Sequence, residues 1–119
     1  SGGFYTPSNQ TPQNQAFLKA YKEVAGDKTL PNYLAVGAYD GMAVIYEALK
    51  KTGGDVDGTR LVDAMKGLEL PSPRGTIAID PDTRDVINTV YVRKVEMVDG
   101  QPVAIDFDKF DAVKDMGKE

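Results

Sequence analysis

The sequence predicts a mixed α/β fold in which one short strand precedes three helices and three further strands. Two observations predict this order. Apolar residues recur every three to four positions in three segments of the first 70 residues, which is typical of amphipathic helices. The later residues contain runs rich in Val, Ile and Tyr between Pro, Asp and Gly turns, which is typical of strands. At 119 residues the chain is long enough to bury one core.

Local signals mark the first strand and the first helix. Residues 3–6 are predicted to be extended, because a Pro-Ser-Asn turn follows them. Thr11 before Pro12 is typical of a helix start, since the hydroxyl can cap the helix and proline suits its first turn. A single apolar stripe then predicts a helix over residues 12–25, which Gly26 ends.

The second helix is predicted to follow Asn32 and to end near Lys51. Its first half is apolar on nearly every face, and such a helix is usually buried on both sides. Gly37 and Gly41 each cost about 1 kcal/mol relative to alanine in a helix, which suggests close approach of a backbone or a ligand. So few strands can hardly cover both faces. Either the domain is a tight three-layer structure or a dimer, or the rest of its sheet lies outside this sequence.

The third helix and the strands follow from caps and turns. Asp57 is predicted to cap a helix that runs to about Leu68. The proline-rich residues 70–75 are predicted to be a rigid surface crossing, because proline cannot donate to a sheet ladder. Strands are predicted over residues 76–79, 86–98 and 101–107, with an Asp-Gly hairpin turn at 99–100.

Composition excludes several classes of function. There are 14 Lys and Arg against 18 Asp and Glu, so the formal charge is −4 and nucleic acid is not an expected partner. The sequence has no Cys and no His, which removes thiol nucleophiles, the common zinc ligands and imidazole bases. Acidic turns at residues 55–58 and 80–85 do not fit a calcium loop. We therefore expect no metal and no cofactor.

Several short motifs together suggest a family. They are Tyr-Asp at 39–40, Ala-Leu-Lys-Lys-Thr-Gly at 48–53, Ser-Pro-Arg-Gly-Thr-Ile-Ala-Ile-Asp at 72–80, Val-Tyr-Val at 90–92 and Asp-Gly at 99–100. In order and spacing this set resembles the C-terminal segment of the solute-binding proteins of branched-chain amino acid type ABC importers. The resemblance covers residues 2–107.

The resemblance implies a two-lobe type I periplasmic-binding-protein fold, with a solute held in the cleft between lobes that three crossing segments join. This chain would supply its C-terminal part, and the remainder of the fold would be a partner. The implied layout is a hinge-crossing strand at 1–7, three helices of the first lobe at 8–70, strands of the first lobe and the return crossing at 71–107, and a tail toward the second lobe at 108–119.

The implied function is binding without catalysis. An extracytoplasmic, periplasmic protein of this family binds a small solute, here an amino acid or a similar small carboxylate or amide, and delivers it to an ABC permease in the membrane. An aromatic-acid binder or an amide-sensing receptor of the same fold is the alternative. A small α+β enzyme that uses Asp40 and a tyrosine as acid and base is an alternative of another class.

Four residues are candidates for solute binding. The family places an aromatic residue near the cleft at the position of Tyr39, whose ring suits a small apolar solute but could equally be ordinary core. Asp40 could receive an ammonium group or a hydrogen bond from the other lobe, or could bind backbone N–H groups, an arginine or water. Phe4 and Tyr5, on the implied crossing strand, could touch solute or pack the hinge.

One arginine is a weaker candidate. Arg74 lies between a proline and a glycine, and it could pair with an anion in the cleft. We expect it instead to brace a surface loop through Asp80 or Asp85.

Overall fold

The computed structural model describes residues 1–117, in which one strand precedes three helices and four further strands, one strand more than the sequence predicts. The elements are β1 (Gly2–Gly3), α1 (Pro12–Ala25), α2 (Tyr33–Lys51), α3 (Gly58–Met65), β2 (Glu69–Ser72), β3 (Gly75–Ile79), β4 (Val86–Val98) and β5 (Gln101–Val113). The α/β class is therefore confirmed. Across these residues, no helix combines the length and hydropathy that crossing a bilayer requires.

The helix starts follow from side-chain caps. The Thr11 hydroxyl accepts a hydrogen bond from the backbone of Asn14 at 3.2 Å, and the Asn32 side chain accepts two from the first turn of α2. Asp57 accepts from the backbone of Arg60 at 3.0 Å and begins α3. These bonds satisfy N–H groups that have no partner inside the helix, so each predicted start is confirmed.

Strand β4 is the centre of the sheet. It pairs antiparallel with β1, with β3 and, along most of its length, with β5. The turn between β4 and β5 has positive φ at Asp99 and Gly100, as a tight two-residue hairpin needs. Since β2 pairs with β3, the strand order is β1-β4-β3-β2, with β5 on β4.

The structure corrects the expected surface crossing at residues 70–75. Leu70 pairs with Ile77 and Pro71 with Thr76, so these residues form an additional strand, β2, at the edge of the sheet. An edge strand tolerates proline because one row of its backbone groups needs no ladder partner. The segment is also not superficial, since Ser72, Pro73 and Arg74 are buried.

Two further strand bounds differ from expectation. The return strand does not end at residue 107, because Phe110 pairs with Val90 and the ladder continues to Val113. Residues 108–113 are thus strand rather than tail. The first strand covers only Gly2–Gly3 rather than residues 3–6. The backbone carbonyl oxygens of Gly3 and Tyr5 accept hydrogen bonds from the side chain of Arg93 instead of from the backbone of a neighbouring strand.

Helix α2 buries a single face within residues 1–117. Its buried side chains are Val36, Asp40, Val44 and Ala48, which recur every four residues. The opposite face leaves Tyr39 48% and Tyr46 56% exposed. The described residues thus cover one side of a helix whose sequence predicts burial on both.

Small clusters form the core on the covered side of α2. Val36 packs with Tyr5 and Phe17, and Val44 packs with Leu68 and Ile79. The first cluster joins the chain start to α1 and α2, and the second joins α2 to the β2–β3 hairpin. The core therefore positions the start of the chain against α2.

Gly75 should not tolerate a side chain. Its φ is +98°, and an added Cβ would lie 3.2 Å from the Tyr91 hydroxyl oxygen, which donates to the Arg74 carbonyl. We expect Gly75→Ala to lower the free energy of unfolding by about 1–3 kcal/mol, as measured by urea denaturation.

Gly58→Ala is the matched control for this substitution. Gly58 is a helical residue with nothing within 4 Å of an added Cβ. Alanine there should leave stability unchanged or raise it by about 0.5–1 kcal/mol. Equal stability of the two variants would contradict the argument.

Candidate functional site

The four predicted site residues form two pairs, and the members of each pair contact the same third residue. Phe4 and Asp40 both contact Arg74. Tyr5 and Tyr39 both pack their rings against Phe17. Because Phe4 and Tyr5 are consecutive, as are Tyr39 and Asp40, the two groups form one continuous cluster between the chain start and α2.

Arg74 is the centre of the polar half of this cluster. Its Nε donates to Asp40 Oδ2 at 2.7 Å, and its Nη1 donates to Asn88 Oδ1 at 2.5 Å. The guanidinium carbon lies 4.7 Å from the centre of the Phe4 ring, a cation–π contact. One side chain thus joins the β2–β3 turn to α2, to β4 and to the chain start.

The Asp40–Arg74 ion pair is removed from water, with side-chain exposures of 6% and 7%. Transfer of either charge alone into such a site would be strongly unfavourable, so each makes the burial of the other possible. Arginine suits the position because its planar fork reaches several acceptors at once. Asp40 therefore has the arginine partner that was one of its predicted alternatives.

The expectation that Arg74 braces a loop through Asp80 or Asp85 is wrong as to Asp80. Asp80 instead pairs with Lys114 at 2.8 Å and accepts hydrogen bonds from the backbone of its own turn. The hydrogen bond from Lys114 is the main cause that lowers the pKa of Asp80. Local turn chemistry and Lys114 thus occupy Asp80, while Arg74 pairs with an acid 34 residues away.

Aromatic rings form the apolar half of the cluster. The centre of the Phe17 ring lies 4.9 Å from that of Tyr39 and 6.1 Å from those of Tyr5 and Tyr21. Such tilted and edge contacts are the favoured aromatic geometries. Phe17 thereby fixes the position of the Tyr39 ring, which it leaves half exposed.

The Tyr5 hydroxyl is already used within the protein. It donates to Asn14 Oδ1 at 3.0 Å, and the Asn14 amide nitrogen donates to the carbonyl oxygens of Pro7 and Asn9. Burial raises the pKa of Tyr5 to about 12, so the phenol stays protonated at neutral pH. Tyr5 therefore orders the loop before α1.

This geometry does not favour an acid–base pair of Asp40 with Tyr5. The carboxylate accepts from Arg74, and the phenol donates to Asn14. Both side chains are 5% exposed. No group of three or more metal-ligating side chains occurs within residues 1–117 either.

A shallow groove runs along the uncovered face of α2. It encloses about 520 Å³ and is lined by Ala38, Tyr39, Met42, Ala43 and Tyr46. Tyr39 is the one predicted site residue that contributes to it. The groove is a surface on which an apolar partner or solute could lie.

Sequence reasoning missed the roles of Phe17 and Asn88. Phe17 belongs to the regular apolar stripe of α1, and nothing in that stripe separates it from ordinary core residues. Asn88 interrupts an apolar strand, and a polar residue there is a usable signal of a buried hydrogen bond.

Comparison with known proteins identifies the class. A family model described as periplasmic binding protein matches residues 1–101. The chain belongs to the periplasmic binding protein family.

Several relatives are similar over most of this chain. Leu/Ile/Val-binding protein homolog 6 of Brucella abortus is 39% identical over 95 residues, which are 80% of this chain and 24% of the relative. A solute-binding protein of an ABC transporter from Rhodopseudomonas palustris BisB5, solved with 3,4-dihydroxybenzoic acid, is 50% identical with a TM-score of 0.92. The counterpart from R. palustris HaA2, solved with p-hydroxybenzoic acid, is 36% identical with a TM-score of 0.91.

The coverage of these structures is unequal. Each comparison includes 99% of this chain but 32% of the solved chain. The chain thus spans about a quarter of the length of the curated relatives and a third of the solved structures. The predicted type I periplasmic-binding-protein fold is confirmed for the segment that it covers.

Removal of the negative charge at Asp40 should be strongly destabilising. Asp40→Asn keeps the shape of the side chain and leaves Arg74 buried without its counter-charge. We expect the free energy of unfolding to fall by about 3–5 kcal/mol in urea denaturation.

Asp63→Asn is the control, because Asp63 forms an exposed ion pair with Lys66. Its cost should be below about 1 kcal/mol. Combining Asp40→Asn with Arg74→Met should recover part of the loss, because the unpaired cation is then absent. An Asp40→Asn variant as stable as the control would contradict this account of the pair.

Proposed function

We propose that these residues are the last third of the solute-binding component of an ABC importer. The intact protein, meaning the polypeptide that joins them to the rest of both lobes, would bind a small solute in the periplasm and deliver it to the membrane permease. Its function would be binding without turnover. The family match over residues 1–101 is the observation that carries this proposal.

The domain layout follows the same proposal. Residues 1–7 would form a hinge-crossing segment and residues 8–70 would supply the helices of the first lobe. Its strands and the return crossing would begin at residue 71, and the chain would lead toward the second lobe after β5 ends at Val113. The remainder of the fold would cover the apolar face of α2. Solute that bridges the lobes would then shift the protein from open to closed forms.

We propose an aromatic acid of the hydroxybenzoate class as the solute. Relatives 50% and 36% identical to this chain were solved with 3,4-dihydroxybenzoic acid and p-hydroxybenzoic acid. Tyr39 offers a half-exposed ring, which suits stacking on a benzoate. Asp40 is neutralised by Arg74, so it does not repel a carboxylate as a free acid would.

A branched-chain amino acid is the second candidate. The name of the curated relative, Leu/Ile/Val-binding protein homolog 6, supports it. An amino acid carries an ammonium group, however, and Asp40 already has a cation as its partner. Recognition of the ammonium would then need an acceptor other than Asp40, which makes the aromatic acid the better-supported solute.

Roles for the four candidates follow from their exposure. Tyr39 would contact the solute, and Phe4, which is half-buried, would line the back of the cleft. Tyr5 and Asp40 are buried and would hold those rings in place through Phe17 and Arg74. All four residues would thus belong to the site, but only Tyr39 and Phe4 would face the solute, while Tyr5 and Asp40 would hold them in place.

Titration calorimetry of the intact protein tests the solute class. We expect saturable binding of 4-hydroxybenzoate and 3,4-dihydroxybenzoate, weaker binding of leucine, and no product by chromatography. Tight binding of leucine with no response to either benzoate would replace the first candidate by the second. Product formation would overturn the binding role.

Tyr39→Ala in the intact protein tests the proposed contact. Loss of a ring that packs on the solute should weaken 4-hydroxybenzoate binding about tenfold, which corresponds to about 1.4 kcal/mol. Phe110→Ala removes an exposed ring on β5, outside the groove along α2, and should leave affinity within about twofold. Equal affinities for the two variants would contradict a role for Tyr39.

The 119 residues alone should bind solute far more weakly than the intact protein. Contacts from the other lobe would be missing, so closure could not occur. Calorimetry with 4-hydroxybenzoate should detect no binding at micromolar concentrations. Binding as tight as that of the intact protein would refute the two-lobe site.

A further inference from the structure

A second arginine, Arg93 in β4, joins three segments of the chain and has no part in the site described above. Its Nη1 donates to the carbonyl oxygen of Tyr5 at 2.9 Å, and its Nη2 donates to that of Gly3 at 3.0 Å. Its Nε lies 3.2 Å from Asp106 Oδ1 in β5. We call this arrangement the Arg93 bridge.

The bridge is largely shielded from water. The side chains of Arg93 and Asp106 are 14% and 17% exposed. Within residues 1–117 neither carboxylate oxygen of Asp106 has a well-aligned hydrogen bond, so Arg93 compensates it chiefly by charge. Burial raises the pKa of Asp106 against the opposing effect of Arg93, which agrees with a desolvated acid.

The chain start is shaped to admit the guanidinium. A Cβ on Gly3 would lie 3.1 Å from Arg93 Nη1, so a larger residue there would crowd the bridge. The backbone N–H of Arg93 also donates to the Ser1 carbonyl oxygen at 2.8 Å. Backbone and side chain of one residue therefore bind the segment from Ser1 to Tyr5.

The same segment carries two of the candidate site residues. The bridge holds its backbone, while the Phe4 ring lies on Arg74 and the Tyr5 ring on Phe17. A shift of this backbone along β4 would therefore move the Tyr5 ring, which packs on the same Phe17 ring that contacts Tyr39. The bridge thus connects the crossing segment to the site by direct contacts.

We propose that Arg93 is a positioning residue that makes the first crossing segment and the β4–β5 hairpin move as one unit, and that it thereby sets solute affinity without touching the solute. This inference rests on the proposed two-lobe binding function. A joint of independent segments would sample more open arrangements, and apparent affinity falls with the fraction of binding-competent protein. The planar fork of arginine is required, because lysine presents a single point of charge.

The test compares variants of the intact protein well below their melting temperatures. Arg93→Met removes the bridge, and Arg93→Lys keeps the charge but loses the fork. Asp106→Asn keeps both carbonyl contacts. Arg60→Met is the control. Arg60 is exposed and pairs with Asp55, and both residues follow α2 in the sequence and lie outside the bridge.

We measure affinity for 4-hydroxybenzoate and 3,4-dihydroxybenzoate by calorimetry, and the radius of gyration with and without solute by X-ray scattering. Both Arg93 variants should lose at least about fivefold in affinity. Both should also be larger than wild type without solute and equal to it at saturation. Asp106→Asn should lose less, and Arg60→Met should match wild type.

Unchanged affinity in the Arg93→Lys variant would overturn the proposal, even if its melting temperature falls, because the bridge would then be only structural. If Arg93→Met does not fold, Arg93→Lys and Asp106→Asn decide the question. If wild type binds neither benzoate, the proposed solute class fails instead. The solute-free radius of gyration still tests the bridge in that case, and values equal to wild type in both Arg93 variants would overturn it.

Discussion

The buried ion pair of Asp40 and Arg74 is the interaction on which the arrangement of this chain depends. It lies where α2, the β2–β3 turn, β4 and the chain start meet, and the guanidinium of Arg74, which belongs to the turn, contacts the other three. Apolar packing alone would let these elements slide, because apolar contacts carry little directional preference. A desolvated charge pair fixes their relative positions, since any displacement leaves a charge without its partner.

The aromatic cluster depends on that placement. Asp40 can reach Arg74 because it occupies the buried stripe of α2, and the preceding residue, Tyr39, is thereby turned toward Phe17 and the surface. Of these two neighbouring residues, Asp40 is buried and gives support, whereas Tyr39 is exposed. Packing on Phe17 can therefore hold the Tyr39 ring at a defined angle without a hydrogen bond to the Tyr39 hydroxyl.

Local signals made the helices predictable and left the long-range pairs unpredictable. Caps such as Thr11 and Asp57 act within three residues, so sequence alone locates them. Strand β2 escaped prediction because proline argues against a strand unless its edge position is known. The choice of Asp40 over Asp80 as the partner of Arg74 depends on folding across 34 residues, which no local pattern encodes. Family resemblance singled out Tyr39, whereas Asp40 was singled out as a carboxylate within an apolar stretch.

The two outer strands of the sheet have a consequence for how copies of this chain can meet. Proline at position 71 interrupts the donor row of β2, and Asp108, Lys109 and Asp111 place charges along β5. Both features discourage strand addition from another molecule, which would otherwise seed fibrils. Self-association of these 119 residues at high concentration would therefore proceed through the exposed apolar face of α2 rather than through cross-β pairing of strands.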